Sequence, residues 1–227
     1  MNAQVRGRNE IPAIGAEIGP CTSGETTLAR PLLRLLEQRM LLLVDRGFPG
    51  YELWQEAAAT GSELCWRTKS NAVLPVTTAL SDGSYLSALA PPRGNPGAPI
   101  TVRVIEYTLS HPSRAEDEGP IRLITTLLDP TTAPALELAA LYGGRWEEEN
   151  AFDELKTHQR GAGRILRSKS PEMVVQEIHA HLLVYFAIRS LINKAAEEEE
   201  IDPDRVSCIA SLRVVRRQVT DQAAFSP

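Results

Sequence analysis

The chain has 227 residues, 43% hydrophobic and 23% charged, with a formal net charge of −5, which is ordinary for a globular protein with one good core and room for a subdomain. Met1 to Gly19 shows no apolar h-region, and the most apolar helix candidate, Ile178 to Ile192, is interrupted by His179, His181 and Arg189 and is expected to be too short and too polar to span a bilayer. Cys21, Cys65 and Cys208 are far apart and lack CxxC spacing, which excludes a zinc site and reads as reduced thiols in a cytosolic protein.

Residues 1–27 are expected to be loop or disordered, with Pro12, Gly15, Gly19-Pro20 and Gly24 as breakers. Leu28, Leu32, Leu35 and Leu36 then form a stripe that predicts an amphipathic helix over Leu28 to Gln38. Met40 to Val44 is continuously apolar, as in a strand buried on both faces in the middle of an α/β sheet, and Asp45 follows it. Functional side chains of such folds gather at the C-terminal ends of these strands. The plainer reading of an aspartate there is a turn former before Gly47-Phe48-Pro49-Gly50. Tyr51-Glu52-Leu53-Trp54 opens a helix, and Glu63 to Lys69 supplies the next strand.

Composition changes over 71–128, where prolines and glycines accumulate and β-branched residues gather, predicting an antiparallel region of three to five strands. Ile100, Val102 and Val104 alternate in one phase while Ile105, Tyr107 and Leu109 alternate in the other, which suggests a bulged strand. From Pro130 the chain turns helical, with Pro134 to Tyr142 and Trp146 to Lys156 flanking Gly143-Gly144. Gly161 and Gly163 break that pattern, Ser170-Pro171 predicts an N-cap followed by a first-turn proline, and Val174 to Asn193 a long helix. The acidic run Glu197 to Glu200 is expected to fray its end.

The stretch LYGGRWEEENAFDELK places Tyr142, Arg145, Glu149 and Lys156 at the spacing Y-x2-R-x3-E-x6-K. On one continuous helix these four would fall within an arc of about 60–80°. An aromatic ring, a guanidinium, a carboxylate and an ammonium on one face could hold a phosphate backbone against a metal ion. A solvated face laced with ion pairs is the plainer alternative. No acidic residue lies between Leu155 and Ser170, while Lys156, Arg160, Arg164, Arg167 and Lys169 are basic, so a local stripe could track phosphates although the molecule as a whole is acidic.

That spacing resembles the YREK signature of bacterial insertion-sequence DDE transposases of the insertion-sequence-four type. A second block agrees: Leu41-Leu42-Leu43-Val44-Asp45-Arg46-Gly47-Phe48 is similar to the strand ending in that family's second catalytic aspartate, and Arg67-Thr68-Lys69 to its R-x-K ending. The resemblance runs from about Gly19 to about Lys194 and implies an α/β, ribonuclease H-like catalytic core. Residues 28–70 would form part of that core and 71–128 a β-rich insertion. Residues 129–196 would supply the catalytic-glutamate helix and C-terminal helices, and 197–227 a C-terminal tail.

It further implies metal-dependent DNA cleavage and joining. Asp45 and Glu149 would be catalytic and would ligate two Mg²⁺ or Mn²⁺ ions, while Tyr142, Arg145 and Lys156 would bind DNA. The implied partners are transposon-end and target DNA, with a homodimer or a complex with full-length transposase, in the bacterial cytoplasm at the nucleoid and with no membrane association. One departure matters: Asp45 is the first aspartate of the sequence, and residues 1–44 offer only Glu10, Glu17, Glu25 and Glu37. The expectation is therefore a core truncated at its N-terminal side, with an incomplete carboxylate set. A non-catalytic fragment binding DNA ends or full-length transposase, an inactive remnant, and a ribonuclease H-like nuclease outside transposition are the alternatives.

Overall fold

The computed structural model describes residues 15–48, 50–108, 120–144, 153–161, 163 and 165–222. The chain divides into two compact units, Gly15–Arg145 and a second comprising 1–14 and Trp146–Pro227. The first is a mixed α/β layer structure; the second, where described, is helical.

In the first unit a short helix α1 (Glu25–Ala29) passes into a 3₁₀ segment, Arg30–Leu35, rather than the single helix that the leucine stripe predicts. Pro31 is the physical reason, because it lacks an N–H and its ring crowds the preceding turn. Strand β1 (Leu41–Val44), helix α2 (Tyr51–Ala58) and strand β2 (Glu63–Arg67) follow as a βαβ unit, with Leu41 paired to Glu63 and Val44 to Trp66 in parallel. Residues 71–128 hold β3 (Thr78–Ala79), β4 (Tyr85–Leu89), β5 (Ile100–Tyr107) and β6 (Ile121–Thr125). All join one six-stranded sheet in the order β1-β2-β6-β5-β4-β3, with β6 antiparallel to β2. Among the described residues β1 therefore lies at the edge of the sheet, not in its middle, and its four residues are only half-buried.

Among the described residues α2 covers one face of the sheet and α3 (Ala135–Gly143) the other. Leu53, Trp54 and Ala57 of α2 cover Leu64, Trp66, Val102, Val104 and Ile124, with the Trp54 and Trp66 rings edge to face at 5.0 Å and 75°. On the other face α3 sets Leu138 and Tyr142 over Cys65, Ile105, Ile121 and Leu123. Strand β5 has no bulge: its register runs unbroken from Ile100 to Tyr107 against β4 and β6. The phase change in its sequence arises because Val102, Arg103, Val104 and Ile105 are all buried, two on each face. None of the three cysteines is in a disulfide, and burial pushes the Cys65 thiol up to about 12, against a lowering by Arg103.

In the second unit, residues Glu154–Gln159 form a π-helical turn. Gly161 and Gly163 then take φ of 97° and 70°, a backbone open to glycine, and end it. Helix α4 (Pro171–Glu198) starts with Ser170 accepting from the Met173 amide and Pro171 in the first turn. Residues 197–227 are not simply a tail. Helix α5 (Cys208–Gln222) packs Cys208 and Leu212 onto Ile188 and Ile192 of α4. Its arginines dilute an apolar spacing of four residues that is too short to stand out in the sequence. No described helix is long and apolar enough to cross a membrane.

Candidate functional site

The site is built at the C-terminal end of β1. Asp45 leaves the strand directly after Val44, half-buried and with its Oδ1 atom enclosed from solvent. The turn that follows is closed by the backbone, the Phe48 amide donating to the Asp45 carbonyl at 3.1 Å. This turn does not need a carboxylate to form, which weakens the plainer reading of Asp45 as a turn former. The parallel register pairs Val44, the residue before Asp45, with Trp66, the residue before Arg67 at the end of β2.

Tyr142 reaches this strand from α3. Its hydroxyl donates to the Val44 carbonyl at 3.2 Å, across 98 residues of sequence, and so ties the last turn of α3 to the residue before Asp45. Its ring is 5% exposed and belongs to the core with Leu138 and Cys65. The sequence expectation set that ring on one helix face with Arg145, Glu149 and Lys156, as a DNA-binding residue. Helix α3 ends at Gly143, capped at Gly144, and Lys156 lies exposed in the π-helical turn Glu154–Gln159. Arg145 and Glu149 lie outside the described residues.

The other end of α3 is held by a group that sequence reasoning missed. Arg103, fully buried, donates through Nη2 to Asp82 Oδ2 at 2.5 Å, through Nε to Ser84 Oγ at 2.8 Å, and through Nη1 to the carbonyls of Ala133 at 2.6 Å and Leu127 at 3.2 Å. Asp82 Oδ2 also accepts the Ala135 amide at 2.9 Å, satisfying a first-turn donor of α3. Burial opposes ionisation of Asp82, but hydrogen bonds from Ser84 and the Ala135 amide, with the charge of Arg103, hold its carboxyl below the usual range. The signal in the sequence was an arginine at the centre of an otherwise apolar strand, ITVRVIEY. Helix α3 is thus pinned at its start by Asp82 and Arg103 and at its end by Tyr142.

A hard carboxylate such as Asp45 suits Mg²⁺ or Mn²⁺. Among the described residues no three His, Cys, Asp or Glu side chains gather as a metal-binding group. The donor chemistry at Asp45 fits a divalent cation; the second expected ligand, Glu149, falls outside the described residues.

Comparison with known proteins bears on the family of the chain. The family model described as the transposase DDE domain matches residues 2–187. The chain is also 27% identical over 222 residues to the transposase InsG for insertion sequence element IS4 of Escherichia coli (strain K12). That match covers 93% of this chain and 48% of the relative, so the chain spans about half the length of the curated relative it matches.

Proposed function

The chain belongs to the transposase DDE domain family, and from that premise we propose that it carries part of a ribonuclease H-like, metal-dependent phosphoryl-transfer site acting on the DNA backbone in transposition. The observation that carries the reading is the Tyr142 hydroxyl on the Val44 carbonyl, because it joins the two blocks of family resemblance at one strand end. Asp45 and Glu149 would be two of the carboxylates that hold the divalent cations. Such ions activate the attacking oxygen and stabilise the leaving oxygen of the displaced phosphate. Arg145 would fork onto phosphate oxygens and Lys156 add a second positive charge. Tyr142, with its ring in the core, would act by holding the Asp45 strand against α3 rather than by stacking on a base. DNA as substrate places the work in the cytoplasm at the nucleoid, with a homodimer or a longer transposase as the protein partner.

A second reading is favoured by one observation: residues 1–44 contain no aspartate, so this stretch does not supply a further aspartate upstream of Asp45. On that reading the chain binds DNA ends or a longer transposase without cutting.

Nicking of end-bearing DNA in Mn²⁺ or Mg²⁺ separates the two. Under the first reading wild type nicks, and Glu149→Gln and Asp45→Asn each lower the rate about a hundredfold or more. Nicking that survives both substitutions rejects the assignment of the carboxylates. No nicking, together with salt-sensitive gel shifts that weaken in Arg145→Ala and Lys156→Ala, leaves only the binding reading.

A further inference from the structure

Helix α5 carries Arg213, Arg216 and Arg217 ahead of its single acid, Asp221. From Val206 to Thr220 there is no aspartate or glutamate, while Arg213, Arg216 and Arg217 all fall there. At helical spacing the three lie within an arc of about 100°; Arg216 borders the stripe of Cys208 and Leu212, while Arg213 and Arg217 turn about 100–140° away from Leu212, and Cys208 and Leu212 pack on Ile188 and Ile192. Arg213 and Arg217 are exposed, and neither forms an ion pair among the described residues. They stand four residues apart, where like charges repel.

Arg216 joins this helix to the basic segment of the motif. Its Nη2 donates to the carbonyl of Gln159 at 2.7 Å and of His158 at 3.5 Å, capping the turn that carries Lys156. The Gln159 side chain donates to the His181 carbonyl at 2.7 Å and fastens the same turn to α4. Nearby carboxylates are engaged internally: Asp153 with Thr157 and His158, Glu154 with the Tyr185 hydroxyl, and Glu177 with the amides of Arg167 and Ser168. Positive charge on α5 is thereby left facing outward beside exposed Lys156.

We propose that α5 and the Glu154–Gln159 turn form one surface for the sugar-phosphate backbone of duplex DNA, with Arg213 and Arg217 as its outer contacts. The proposal rests on the DNA-binding reading above and extends it into a segment that the sequence marks only as a tail. Phosphates relieve the repulsion between the two arginines and release counterions, and the contact carries no base specificity.

The test uses the full chain and a labelled duplex of arbitrary sequence, with binding followed by fluorescence anisotropy between roughly 50 and 200 mM salt. In Arg213→Gln/Arg217→Gln the slope of log affinity against log salt becomes shallower by about two, and roughly tenfold less affinity is lost across that range. The charge-conserving pair Arg213→Lys/Arg217→Lys keeps the wild-type slope. A slope unchanged by the glutamine pair overturns the proposal, as does an equal loss in the lysine pair. If Lys156→Ala flattens the slope and the glutamine pair does not, the DNA-binding reading stands and this surface falls. If wild type binds no duplex even at low salt, the surface is rejected outright, while metal-dependent nicking still judges the wider reading.

Discussion

At the scale of single residues, the side chain with the most depending on it is Arg103, a fully buried guanidinium in mid-strand. A buried charge is costly unless its donors are satisfied, and here Asp82, Ser84 and the carbonyls of Leu127 and Ala133 satisfy them. Asp82→Asn should cost about 1–3 kcal/mol at pH 7, the range for losing a hydrogen bond to a charged group, since Asp82 itself lies at the surface. The sign of the pH effect follows from the depressed carboxyl. Stability from Asp82 is fully present above its unfolded pKa, near 3.9, and is lost as pH falls through the lower folded value. Urea denaturation should therefore show a larger penalty for Asp82→Asn at pH 7 than at pH 3. Equal penalties at the two pH values would show that the ionised form contributes nothing. None of this pairing is legible in sequence order, because Asp82 and Arg103 are 21 residues apart and meet only through a hairpin.

At the scale of elements, local chemistry was legible and burial was not. The Ser170 cap, the βαβ unit around α2 and the glycine stop after Gln159 follow from residue types that act on their own backbone. Strand β5 misled the pattern because alternation is diagnostic only when one face meets water, and both of its faces are covered. Tyr142 misled it for a related reason: spacing places a residue on a helix face but does not say which face is buried. The distinction can be measured. Tyr142→Phe removes the bond to Val44 and should cost about 1 kcal/mol, whereas Tyr142→Ala empties part of the core and should cost about 3–5 kcal/mol. An exposed DNA-facing tyrosine would lose under about 0.5 kcal/mol in the same chemical melts. Such a small loss would return the ring to the surface that its spacing suggests.

At the scale of the molecule, composition marked one core with room for a subdomain, and the chain divides into two units with separate buried clusters. The sheet unit buries its apolar residues on both faces, from Leu64 and Trp66 to Leu123 and Leu138. Among the described residues the helical unit gathers Ile188, Ile192, Cys208 and Leu212, a smaller cluster. Stability follows buried apolar area, so the helical unit should open at the lower free energy. Leu212 is 5% exposed, and Leu212→Ala should cost about 2–5 kcal/mol of local stability. Hydrogen exchange read by mass spectrometry should then show faster exchange across α4 and α5, with amides of β2, β5 and β6 keeping wild-type protection. Acceleration of equal size in the sheet would mean that the two units unfold as one.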